Sequence, residues 1–162
     1  MDPHISKLRE LFLTHPAWLK AAKHIRDGAT SRVLFSHVPG DYHLLRKNGQ
    51  SQLLEGPAQD PDFAFRFTPR SIDRLTTIES DQVADFAIAL FEGTVEEDPE
   101  LQIGLRVVGG FPRLMLRGYV GLLFGGGPRL LAYGASRGVR NVGDLRRFLK
   151  QTRATDPRWD TL

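Results

Sequence analysis

The chain has no cysteine, and only two methionines and two tryptophans in its 162 residues. Without thiols there are no disulfides, no thiolate metal sites and no cysteine nucleophile, and a reducing compartment, the cytoplasm by default, is expected. Long hydrophobic runs are also lacking. The most apolar stretch, from Leu114 to Phe124, is interrupted by Arg117, Gly118 and Gly121 and falls short of the roughly 20 residues a membrane span needs. Met1-Asp2-Pro3-His4-Ile5-Ser6 has neither the basic start nor the apolar run of a signal peptide, so a cytoplasmic protein, at most peripheral at a membrane, is expected. No internal repeat or sharp composition break divides the chain, and its length suits one domain with room for a modest cavity.

Charge is present in both signs but unevenly placed. Eight basic residues stand against five acidic ones over 1–59, three against eleven over 60–100, and eleven against three over 101–162. The basic last third either meets phosphate, on lipid headgroups or nucleic acid, or faces the acidic middle segment or solvent.

What is there is a change of apolar period in a fixed order. Phe63, Phe65 and Phe67 alternate with Ala64 and Arg66, as in a strand with three rings on one face. Thr68-Pro69 suits the cap and first turn of a helix. From Ser80 to Glu92, Val83, Phe86, Ala87, Leu90 and Phe91 fall on one helical stripe that should end at Gly93. Leu101, Ile103, Leu105 and Val107 then alternate as a second strand. From Pro112 to Phe124 almost no polar face remains, and a helix that is apolar nearly all round must be covered on two sides by protein, membrane or an apolar ligand.

Before these elements, helices are expected around Ile5, Leu8 and Phe12 and around Trp18, Leu19, Ala22 and Ile25, separated by Pro16. Strands follow at Arg32–Val38, Tyr42–Lys47 and Gln52–Leu54, with Asn48-Gly49 as a hairpin turn. Gly125-Gly126-Gly127-Pro128 reads as a hinge. Asn141 reads as the cap of a last helix carrying Val142, Leu145, Phe148 and Leu149 inward.

The order Pro61-Asp62-Phe63-Ala64-Phe65-Arg66-Phe67-Thr68-Pro69, a helix ending at Glu92-Gly93, then Gly104-Leu105-Arg106-Val107-Val108-Gly109 before a very apolar helix resembles the sterol carrier protein 2 family, over roughly residues 30–133. That family often carries Gly-Asp where this chain has Gly109-Gly110, so the approach to the last helix should be shaped differently. The resemblance implies a sheet and helices enclosing a tunnel for a lipid tail. It also implies a non-catalytic role: binding, transfer or presentation of a fatty acyl chain, a sterol-like molecule or an isoprenoid quinone, in some relatives as an accessory to a membrane-associated enzyme.

Other constellations are weaker. Gly134-Ala135-Ser136-Arg137-Gly138-Val139 resembles a dinucleotide-binding turn, but only 24 residues follow Gly138, too few for the domain such a turn opens. His4, His15, His24, His37 and His43 show no ligand spacing, although His37 and His43 flank a turn and could meet across a hairpin. Ser36-His37 with Asp41 lacks a nucleophile elbow, and Asp81, Asp85 and Glu92 suit a solvated acidic stripe better than an acid/base pair. The three phenylalanines as a base-stacking platform would sit in the acidic segment, which repels a phosphate backbone.

The expectation is therefore an α+β domain with a five-stranded, mainly antiparallel sheet covered by helices and enclosing an apolar tunnel. Residues 1–29 would form a helical brace, 30–151 the lipid-binding domain and 152–162 a polar tail that Trp159 could pin. The expected lining is Phe65, Phe67, Phe86, Leu90, Ile103, Leu105, Val107, Met115, Tyr119, Leu122 and Leu123. No cofactor, metal or nucleic acid is expected, and no enzymatic activity. Arg113, Arg117 and Arg129 would face an anionic membrane. The alternative is a protein-interaction module whose apolar helix docks on a partner, without a tunnel.

Overall fold

The computed structural model describes residues 1–151 and 156–161. The Asp2 carboxylate accepts from the backbone N–H groups of His4 and Ile5, and with Pro3 in the first turn this starts α1 (Pro3–Thr14). A second proline restarts the chain as α2 (Pro16–Ala22). Strands β1 (Thr30–Phe35), β2 (Tyr42–Lys47) and β3 (Gln50–Glu55) form an antiparallel meander. Its β2–β3 turn is made by Asn48 and Gly49, both at positive φ.

Strand β4 (Phe63–Phe67) pairs parallel to β1, and β5 (Gly104–Val107) pairs antiparallel to β4. The order is β3-β2-β1-β4-β5, a mixed five-stranded sheet with one parallel pair in an α+β fold. Between β4 and β5 lie α3 (Pro69–Thr76), opened by a capping box of Thr68 and Ser71, and α4 (Val83–Val95). Helix α4 does not stop at Gly93. A Cβ there would lie 2.6 Å from Cδ1 of Ile103, so this glycine permits close packing inside the helix rather than ending it.

The single apolar helix expected from Pro112 to Phe124 is two helices, α5 (Phe111–Leu116) and α6 (Tyr119–Gly125). The break is Gly118, at φ +88°, where a Cβ would fall inside the carbonyl oxygen of His24. Gly121 and Gly125 continue this seam, with Cβ positions 3.3 and 2.9 Å from the His24 side chain, and Arg26 N–H donates to the Arg117 carbonyl at 3.0 Å. The glycines thus let α6 pack tightly against the end of α2. Residues 127–136, where no helix was expected, form α7 (Gly127–Ser136), and Asn141 caps α8 (Val142–Lys150). Gly134-Ala135-Ser136 is the last turn of α7, so the dinucleotide-like pattern ends a helix instead of opening one.

Ser31, Val33 and Phe35 share a sheet face with Leu44, Arg46, Ser51, Leu53, the three β4 phenylalanines, Leu105 and Val107. Ile5, Leu8, Leu11 and Phe12 of α1 bury against this face together with Ile72 and Leu75 of α3. The opposite face carries Arg32, Leu34, Ala64, Arg66 and Gly104. A 3-10 helix, Pro157–Thr161, lies against it: Arg32 donates to the Arg158 carbonyl at 2.7 Å and Arg158 to the Phe35 carbonyl at 2.9 Å. Of the polar tail expected over 152–162, residues 152–155 and 162 lie outside the described residues.

Candidate functional site

Between the inner sheet face and helices α2, α4, α6, α7 and α8 lies a cavity of about 490 Å³, within the range of small-molecule sites. Each wall follows from a sequence pattern. The floor is Phe63 and Phe65 of β4 with Leu105 of β5, brought side by side because Phe65 pairs with Leu105. The α4 stripe supplies Val83, Phe86, Ala87, Leu90 and Phe91. Helix α6 adds Tyr119, Val120, Leu122 and Leu123, while α7 and α8 close the side with Leu130, Leu131, Val142 and Leu145. Trp18, Ala21 and Ile25 bring the N-terminal helical region, expected as a lid or brace on the sheet, into the wall.

Of the eleven residues expected to line the site, seven stand on this cavity: Phe65, Phe86, Leu90, Leu105, Tyr119, Leu122 and Leu123. Four do not. Phe67 is buried in the core under α1 and stacks on Phe65 at 5.9 Å, one step along the strand. Ile103 precedes β5 and packs on Gly93, its N–H donating to the Gly93 carbonyl at 2.8 Å. Val107 sits in a second core cluster with Leu114 and Leu149, covered by α8. Met115 is absent from the lining and 52% exposed: its neighbour Leu114, 2% exposed, is the α5 residue that reaches the cavity.

The basic last third meets the acidic middle at three places. Asp62, fully buried, receives Arg113 Nε at 3.0 Å, Arg117 at 2.9 Å and the Tyr119 hydroxyl at 3.1 Å. Asp85 holds Arg129 at 2.5 Å and Glu92 holds Arg137 at 2.9 Å. Of the three arginines expected to face a membrane, Arg113 and Arg117 pair with the buried Asp62, whereas Arg129 is 67% exposed and pairs with Asp85. A buried carboxylate needs such partners, since an uncompensated charge there costs several kcal/mol.

Burial first, and the Asp62 carboxylate second, push the Tyr119 hydroxyl well above the ordinary tyrosine range, so it remains a protonated donor. Tyr133 of α7 is pushed up to about 12 by burial and by its hydrogen bond to Glu92. That bond, aided by Arg137 and working against burial, holds Glu92 below the ordinary glutamate range. These two ties fix α6 to β4 and α7 to α4, and so set two walls of the cavity.

Arg46 and Ser51 lie at the polar end of the wall. Arg46 is 8% exposed and donates to Ser51 Oγ at 3.2 Å. The sequence reading missed both, although their spacing carries a signal: Arg46 is two residues from Leu44 and Ser51 two from Leu53, so strand alternation puts them on the inward face. Away from the cavity, His37 and His43 do not meet. His43 Nδ1 is bonded to the Gly56 carbonyl at 3.0 Å, whereas His37 joins Asp2 and His4, with one ligand atom of each within 4.8 Å of the others. Asp2 is already occupied as the cap of α1.

Among the described residues no helix is long and apolar enough to cross a membrane. No family model and no curated protein matches the chain. A solved structure titled "UbiJ-SCP2 Ubiquinone synthesis protein" is similar to it with 20% identity, over 72% of this chain and 86% of that one, at a TM-score of 0.39.

Proposed function

We propose that this chain is a non-catalytic carrier that binds an apolar lipid and transfers or presents it. The observation that carries the reading is the cavity itself: aromatic and aliphatic side chains of β4, β5, α4 and α6 converge on one space of about 490 Å³. Removing apolar area from water supplies the affinity, at about 25 cal/mol per Å² before ordering costs. The ligand classes suggested by the sequence resemblance, a fatty acyl chain, a sterol-like molecule or an isoprenoid quinone, all meet such a wall. Presentation to a membrane-associated enzyme suits a small carrier without a catalytic step of its own.

Native mass spectrometry of the purified protein, followed by loading with a fatty acid, a sterol and a quinone in turn, tests this. A retained or loaded lipid at one per chain is expected. A clean apo mass that no apolar ligand changes would overturn the reading.

One observation favours the second reading, the interaction module. Phe111 and Phe124 are 51% and 68% exposed, and Met115 and Leu116 of α5 are exposed beside them in sequence. Specific oligomers or a stable heteromeric complex from a protein that takes up no lipid would favour it.

A further inference from the structure

The mostly apolar cavity wall carries two charged side chains, Arg46 and Arg140, and of these Arg46 is buried while Arg140 is exposed. Arg46 points inward from β2, is more than nine-tenths buried, and among the described residues no carboxylate pairs with it. Among the described residues its side-chain partner is Ser51 Oγ, which is neutral and takes one Nη1 hydrogen, while Nε is buried without an acceptor there. Trp18 Nε1 is a second buried N–H on the same cavity wall with no acceptor. Guanidinium and indole N–H groups can only donate, so the missing component is an acceptor. Another internal ion shows the contrast: Asp62, 0% exposed, is ion-paired with two arginines and accepts from the Tyr119 hydroxyl.

We infer that Arg46 is the head-group determinant of this cavity and selects an apolar ligand ending in a carboxylate. The inference rests on the lipid-carrier reading above and names the ligand's polar end. A single guanidinium is neutralised by one negative charge, which a carboxylate brings and a dianionic phosphate exceeds. The free Nε edge of the guanidinium, with the adjacent Nη2, presents two parallel donors spaced for the two oxygens of a planar carboxylate. The chain of the ligand then runs from Arg46 over Leu44 and Phe65 toward the α6 and α7 side.

The test measures, by isothermal titration, hexadecanoate against hexadecan-1-ol, which share an alkyl chain and differ in the charge of the head. Wild type should favour the acid by about 10- to 100-fold, the value of hydrogen bonds to a charged group. Arg46→Met should still bind the alcohol and lose the preference, the ratio of acid to alcohol affinity falling toward one. Arg46→Gln serves the same purpose if the methionine variant does not fold, and alcohol binding reports in either case that the cavity is intact. Equal binding of acid and alcohol by wild type, or a preference that survives both substitutions, overturns the role of Arg46 while the carrier reading stands. Failure of wild type to bind either compound overturns the inference, and the carrier reading falls with it when native mass spectra show no uptake of sterol or quinone either.

Discussion

Replacing Gly118 by alanine tests how the cavity is held shut on its α6 side. The residue has φ +88°, a conformation that costs an L side chain about 1 to 2 kcal/mol. Its new methyl group would also meet the His24 carbonyl oxygen, and backbone cannot move aside as a flexible side chain can. Relief requires α6 to withdraw from the end of α2. Overpacking of this kind costs about 1 to 3 kcal/mol. Withdrawal also strains the Arg26–Arg117 hydrogen bond, worth about 0.5 to 1.5 kcal/mol net. Together these give about 2.5 to 6.5 kcal/mol, hence a fall in melting temperature of at least about 5 °C for a chain of this size.

Thermal unfolding followed by circular dichroism measures the shift. Gly127→Ala is the control, since Gly127 has φ +69° but nothing within 4 Å of its Cβ position. It carries the backbone cost alone and should lose about 1 to 2 kcal/mol. The difference between the two variants isolates the seam. Lipid uptake by Gly118→Ala should also fall, because Tyr119, Leu122 and Leu123 move with α6. A Gly118→Ala protein no less stable than Gly127→Ala would refute the claim that the α2–α6 seam fixes this wall.

Filling the cavity from α4 with Ala87→Trp should reduce lipid loading in native mass spectra, whereas Met115→Trp, outside the cavity, should leave it unchanged; equal loading by both would remove Ala87 from the ligand space. Asp62→Asn leaves Arg113 and Arg117 beside a neutral group and should destabilise by about 3 to 5 kcal/mol in urea unfolding; a loss below about 1 kcal/mol would mean that the buried cluster does not anchor α5 and α6. Glu92 has a folded-state pKa below its ordinary value, chiefly through Tyr133, so its stabilisation is present above the ordinary glutamate range and is lost as pH falls through the lowered value. Glu92→Gln should therefore flatten the acid side of the stability profile, and an identical profile would show that the α4–α7 tie contributes nothing.

The sheet was legible because alternation is local. Tyr42–Lys47 and Phe63–Phe67 fold over the bounds their side chains indicated, and Leu105 stands on the inward face its alternation indicated, where the structure pairs it with Phe65. The helices after β5 were not, because a segment apolar on all sides offers no period from which to choose a face. Gly118 therefore looked like a tolerated glycine inside one helix, when its left-handed conformation divides two. Met115 was assigned to the ligand for the same reason. Ile103 and Phe67 carried the right polarity, but whether an inward residue meets a cavity or another core side chain depends on which helix lies above it, and that is set by contacts far apart in the chain. Arg46 shows the opposite case: its inward parity was readable, whereas the lack of a carboxylate partner became visible only in three dimensions.

The sheet separates the protein's two indoles. Trp18 stands in the cavity wall, edge-on to Phe12 at 4.9 Å, while Trp159 lies across Gly104 on the opposite face, where a Cβ would come within 2.8 Å of its ring. With only two tryptophans in the chain, each face carries its own optical reporter. Emission from Trp18 responds to what fills the cavity, and emission from Trp159 to whether the C-terminal segment stays docked, so Trp159→Phe and Trp18→Phe proteins would resolve ligand arrival and tail release as two separate signals.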